Sequence, residues 1–270
     1  MTRGGQRIES PDYDHDGLVS FAEAHAHAMI KSDNIDIPIS TSDVFLRKFS
    51  RFAPSAEDTE DEASSGGFLG GLFGSGGKKK EAKKSSAKAK PLGRDESIAN
   101  VLKLARPEQK AIINRIAKDL KVKHDETVQR IRRRASKWEQ SANNAVDLWS
   151  VSAGVVSTET RLLADNVSLQ WPQLERYSIS PKMMQLTGTN GNKFVEYVEA
   201  LPGCDSLQKA QQRADDLEIK MDRSINREAK LRRLVRTCEN VILESNLPHF
   251  ASETEQAHFA KMSTMQRQGL

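Results

Sequence analysis

Two cysteines in 270 residues, Cys204 and Cys238, are too few for a disulfide framework and leave no set of four close ligands for zinc. Long apolar runs are missing too. None approaches the roughly 18 residues of a membrane helix, and Met1-Thr2-Arg3-Gly4-Gly5-Gln6 leads into no signal-peptide core. These absences predict a soluble, cytoplasmic protein with no transmembrane segment. No repeat at a solenoid period is visible. Hydrophobic residues make up 37% and charged residues 29%, against about 45–50% (counted with Gly) and about 25% in ordinary domains. Part of the chain is therefore expected to stay outside any core. An excess of one charge is also lacking. The net +4 and pI near 9.0 trace to residues 78–90, where seven Lys face Glu81 for a local +6, leaving the rest at −2. A generally basic, nucleic-acid-binding surface is disfavoured on this ground.

What is present divides the chain into three. Residues 1–52 have mixed composition. Residues 53–93 run through an acidic block (Glu57, Asp58, Glu60, Asp61, Glu62), a Gly-rich stretch and the Lys tract, a composition that predicts a disordered linker. Residues 94–270 read as an α-helical interaction domain, because Ile98, Val101, Leu102, Ile112, Ile113, Ile116, Leu120, Val128 and Ile131 recur at three- and four-residue spacings. Pro107 suits a helix start. A second long helix is expected from about Ser206 to Ser245, with Pro248 as its stop. Trp138, Trp149, Leu162, Leu163, Trp171, Phe194, Tyr197, Val198 and Leu201 are expected to give this domain the bulk of its core. The expected fold class is thus mainly α.

One segment carries chemistry: Asp12-Tyr13-Asp14-His15-Asp16-Gly17-Leu18-Val19-Ser20-Phe21-Ala22-Glu23. Three alternating Asp side chains converge when the chain wraps around a hard cation, and Gly17 permits the positive φ of the turn that follows. This pattern resembles the twelve-residue EF-hand loop. The resemblance implies Ca²⁺ as the cofactor and metal ligands from Asp12, Asp14, Asp16, the Leu18 carbonyl, Ser20 and Glu23, the last closing the sphere from the first turn of a helix expected over Phe21 to Lys31. Val19 is expected to point into the core beside Phe21. The same residues also satisfy a helix capping box, Ser20 with Glu23. The hand looks unpaired, since Asp33-Asn34-Ile35-Asp36 lacks the Gly and the closing Glu. Its helix is therefore expected to need a protein partner or a further domain to pack on. His25 and His27, two apart on a helix, face different ways and share no metal. Thr41-Ser42-Asp43 is expected to cap a short helix through Phe49.

Two other resemblances bear on function. Asp14 to His25, with Ile35-Asp36-Ile37-Pro38, Thr41-Ser42-Asp43 and the distal Lys230-Leu231-Arg232-Arg233-Leu234-Val235-Arg236, is similar to the region that follows the catalytic domain in some bacterial caspase-like peptidases. It implies a non-catalytic C-terminal part lacking its protease lobe. No nucleophile–base pair is legible. Cys238 lies on an apolar helix stripe and Cys204 sits in a turn with no His nearby, so no enzyme is expected. Within residues 112–135, Ile116 to Val122 followed by Thr127 to Arg134 is similar to a helix-turn-helix, with Lys121 where a turn Gly is usual and one residue too many before Thr127. Arg130, Arg132, Arg133 and Arg134 would suit phosphate. Equally, they form the solvated face of a helix whose apolar side is Val128, Ile131 and Ala135.

Overall fold

The computed structural model describes residues 11–54, 90–170 and 191–268. The expected linker lies outside these residues apart from its ends, as do Trp171 and the Phe194 side chain. The chain is mainly α. Among the described residues the pairing of extended backbone is a single antiparallel bridge, Ser97 to Thr127. Eight helices are described: α1 (Phe21–Lys31), α2 (Thr41–Phe49), α3 (Ile98–Leu104), α4 (Pro107–Asp119), α5 (Val128–Gln170), α6 (Gly191–Ala200), α7 (Pro202–Phe250) and α8 (Glu253–Arg267).

Local chemistry sets most of the helix starts. Capping boxes open α1 (Ser20 with Glu23), α2 (Ser40 with Asp43) and α8 (Ser252 with Glu255), each satisfying backbone N–H groups that have no partner inside the helix. Pro107 occupies the first turn of α4. Pro248 does not stop α7, which continues to Phe250. The missing N–H forfeits one helical bond, and the Ala251 N–H bond to the Leu247 carbonyl at 2.9 Å restores the pattern before Ser252 caps α8. Cys204 lies in the first turn of α7 and not in a free turn.

The described residues fall into two compact units. The first comprises residues 1–136 and 227–270, the second residues 137–226. In the first unit α1 packs on α4 and α8, and α2 packs on α8. Its core is aliphatic: Ile98, Val101, Ile113, Ile116, Val128, Ile131, Leu231, Leu234 and Ile242 are almost wholly buried. Leu46, Leu243, Leu247 and Phe259 form a cluster against which Phe45, Phe49 and Phe52 pack.

Long-range polar ties fasten the N-terminal helices into this unit. Arg233, fully buried on α7, donates to the carbonyls of Met29 (3.3 Å), Ser32 (2.6 Å), Asn34 (2.7 Å) and Asp36 (2.7 Å). One guanidinium thus closes the C-terminal end of α1 and the turn after it, where carbonyls lack helical partners. Glu239 accepts from both Arg47 and Arg94 at 3.1 Å. Asn246, also fully buried, donates to the carbonyls of Arg51 (2.9 Å) and Leu92 (2.8 Å) and accepts from Leu92 N–H (2.8 Å). With Ala53 N–H bonded to the Leu92 carbonyl at 2.9 Å, the two ends of the 53–93 segment are held side by side.

The aromatic residues of the second unit are not the core that their bulk suggests. Trp138, Trp149, Tyr197 and Val198 are only partly buried and Leu162 is exposed. Cys238 is core as expected. Desolvation, with Glu239 beside it, pushes its thiol up to about 12, so the thiolate that reacts with disulfides is scarce at neutral pH. In a Cys204→Ser protein, the dithionitrobenzoate reaction is therefore expected only after unfolding. A rapid equivalent of thiol in the native protein would contradict this burial.

Candidate metal site

The loop before α1 folds on its own side chains. Asp14 Oδ1 accepts Asp16 N–H at 3.2 Å, Asp16 Oδ1 accepts Leu18 N–H at 2.8 Å, and Asp12 Oδ2 accepts Gly17 N–H at 3.1 Å. The first two are Asx turns, and all three bonds bend the chain without help from other elements. Two residues take the left-handed region, His15 at φ 62° and Gly17 at φ 86°, and only glycine enters it without a Cβ penalty. The wrapping brings Asp12, Asp14 and Asp16 together, each with a carboxylate oxygen within 4.8 Å of the others. Three like charges at that separation repel, and a cation relieves the repulsion. This acidic triad could hold a metal ion.

Glu23 is engaged otherwise. It is buried, and its Oε1 accepts the N–H groups of Tyr13 (2.6 Å) and Asp14 (3.2 Å), while Oε2 accepts the Ser20 N–H and hydroxyl, both at 2.9 Å. Burial pushes the Glu23 carboxyl up, but the bonds from Ser20, Tyr13 and Asp14 together outweigh it and hold the group below its ordinary value. Glu23 therefore caps α1 and also ties the start of the loop to the helix. The capping box was legible as S-x-x-E. The bonds from Tyr13 and Asp14 were not, because they cross nine or ten residues and depend on how the loop closes.

The remaining sequence-predicted ligands lie beside this arrangement. The Leu18 side chain is exposed, leaving its main chain as the only part with ligand chemistry. The Ser20 hydroxyl is spent on Glu23. Phe21 is half-exposed and stacks on His25 with ring centroids 6.4 Å apart, and Val19 is only partly buried, so the pair does not enter the core as expected. Among the described residues no His joins a group able to hold a metal. His27 Nδ1 instead meets the Tyr13 hydroxyl at 3.4 Å.

In the helix-turn-helix-like segment, α4 ends at Asp119 and α5 begins at Val128, a longer connection than the three or four residues of that motif. Lys121 takes φ 54° in place of the usual Gly. Val128, Ile131 and Ala135 are buried and Arg134 pairs with Glu126. No helix among the described residues is long and apolar enough to cross a membrane. No protein-family model, no curated protein and no solved structure matches this chain.

Proposed function

We propose that residues 12–23 bind one Ca²⁺ ion and that the chain acts as a non-enzymatic, cytoplasmic regulatory or interaction protein. The observation that carries this reading is the convergence of Asp12, Asp14 and Asp16 within 4.8 Å, in a loop with a positive-φ glycine and a glutamate at the twelfth position. Hard carboxylate oxygens at this spacing suit Ca²⁺, which accepts six to eight oxygen ligands at about 2.3–2.6 Å, better than Mg²⁺, which holds its waters. Asp12, Asp14 and Asp16 would supply charge and the Leu18 carbonyl a neutral oxygen, while Ser20 and Glu23 would join the sphere by exchanging the bonds that now tie Glu23 to Ser20, Tyr13 and Asp14. The ion neutralises the acidic loop and fixes the entry to α1. Because Arg233 holds the other end of that helix, loading of the loop stiffens α1 between two anchors and prepares it to present a face to a protein partner.

Calorimetric titration of the full chain with CaCl₂ tests the reading. A single site is expected, with a dissociation constant on the order of 10⁻⁴ M for an unpaired hand, absent in an Asp14→Asn/Asp16→Asn protein. Equal heats from both proteins, or no heat from the parent chain, would reject it.

A further inference from the structure

We propose that the end of α4, the connection after it and the first turns of α5 bind the phosphate backbone of a nucleic-acid duplex, on a surface separate from the acidic loop before α1. Residues 118–134 hold seven basic side chains against Asp119, Asp125 and Glu126, a net +4. Outside this segment and the lysine tract 78–90 the chain carries −6. The near-neutral total thus conceals a second basic region, and this one is folded.

Two of its three carboxylates are already engaged. Asp119 pairs with Arg115 at 3.5 Å, and Glu126 pairs with Arg134 while its Oε1 accepts the Lys123 N–H at 3.0 Å. The Glu126 bonds fold the connection onto α5 and bring Lys123 beside the face that carries Arg130 and Arg134, one turn apart. Lys118, Lys121, Lys123 and Arg130 are exposed, and among the described residues none of the four meets a carboxylate. Lys121 is set at the tip by the backbone itself. Its N–H bonds to the Lys118 carbonyl at 3.2 Å and the Val122 N–H bonds to the Ala117 carbonyl at 2.8 Å, the two bonds of a Schellman close, whose left-handed residue is usually glycine. Lys121 holds φ 54° there against the penalty of its Cβ. A cation stands where stability alone would place glycine.

What the surface lacks selects the partner. Between Leu104 and Val146 no large apolar side chain is exposed, so it has neither the apolar residues that seat a protein in a lipid surface nor the anchors of a protein interface. No Phe, Trp or Tyr occurs over residues 105–137, which removes the stacking platform of single-strand binders. Exposed cations without apolar or aromatic anchors suit a duplex, whose phosphates present one charge per about 1.7 Å of axis. The contact is to backbone and carries no sequence preference. It therefore does not need the short turn of a helix-turn-helix, which α4 and α5 lack.

Fluorescence anisotropy of the full chain with short labelled DNA and RNA duplexes, in EDTA so that the acidic loop plays no part, tests the proposal. Four phosphate contacts give a slope of log affinity on log salt of about −3.6, a loss of about a hundredfold between about 50 and 200 mM NaCl. Equal affinity for the two duplexes marks recognition of their shared charge, and a preference for one assigns the source. A Lys118→Gln/Lys123→Gln/Arg130→Gln protein should bind at least about a hundredfold more weakly at 50 mM, with the slope reduced to about −0.9. All three positions are exposed, so its circular dichroism stays that of the parent. Lys121→Gly should bind about tenfold more weakly while its thermal midpoint rises, an opposition that a purely structural lysine would not produce. No binding of either duplex by the parent at 50 mM overturns the proposal. So does binding that the triple substitution leaves unchanged, which assigns it to the lysine tract 78–90, or tighter binding to phosphatidylserine vesicles than to either duplex.

Discussion

Replacing Arg233 by leucine is expected to destabilise the first unit by about 3–5 kcal/mol, the scale of removing one member of a buried charged network. The guanidinium donates to four carbonyls, from Met29, Ser32, Asn34 and Asp36. Without it each loses its donor, at about 1–3 kcal/mol for a fully buried group such as the Met29 carbonyl and less for the part-buried carbonyls of Ser32, Asn34 and Asp36. Partial opening keeps the total below the sum of these. Lysine at this position keeps the charge but not the planar fork, and should recover only part of the loss. Arg232 is the control. It is only partly buried and pairs with Glu228 one turn away, so Arg232→Leu should cost no more than about 1 kcal/mol. Chemical denaturation compares the variants, and hydrogen exchange at residues 32–36 locates the effect. Equal stabilities for the Arg233 and Arg232 variants would remove Arg233 from its role as the anchor of α1.

Glu23→Ala is expected to cost about 2–4 kcal/mol in the absence of calcium and to weaken Ca²⁺ binding severely. The first figure combines the capping box with the Tyr13 and Asp14 N–H groups left without their acceptor. Glu23→Gln keeps part of the structural role and removes the ligand charge. Gln can still complete a capping box, but it lacks the charge of the closing ligand. Because one amide oxygen cannot replace both carboxylate oxygens, which accept bonds from Tyr13, Asp14 and Ser20, its calcium-free stability should fall between those of the parent and Glu23→Ala, with affinity for Ca²⁺ reduced at least about tenfold. At a hundred times its dissociation constant Ca²⁺ stabilises the parent by about 2.7 kcal/mol, and Glu23→Gln should lose most of that gain at the same concentration. The acid limb adds a check. Because the folded carboxyl lies below its ordinary 4.5, the stability that Glu23 contributes is fully present above that pH and is lost as pH falls through the lower, folded value. The difference between parent and Glu23→Ala should therefore shrink on acidification below about pH 4.5. A difference that persists unchanged to low pH would show that the Glu23 charge is not what stabilises the loop.

The elements with local causes were legible before any coordinates. The bounds of α1, the Phe49 end of α2, the Pro107 start of α4 and the mainly helical class follow from capping residues and three- to four-residue periods, each complete within one window of sequence, whereas the cap of α2 is Ser40 and not Thr41-Ser42-Asp43. The acidic triad was legible for the same reason, because Asp12, Asp14 and Asp16 converge through turns spanning two to five residues. Pro248 misled because a proline two residues from a helix end costs only one bond. The tryptophans misled because bulk says how much a side chain gains from burial, not whether a neighbour is there to bury it.

The sequence by itself determined a helical chain with an acidic loop that could hold a metal ion, since both are properties of near neighbours along the backbone. The tertiary structure alone decided that Arg233, in the run from Lys230 to Arg236, is fully buried, and that Asn246 joins Arg51 to Leu92. It also decided that Trp138 and Trp149 on α5 are only partly buried. The reason is separation: the partners of Arg233 lie 197 to 204 residues away. No periodicity encodes such a meeting, and only the packed chain brings the carbonyl ends of α1 to the one side chain with enough donors to satisfy them.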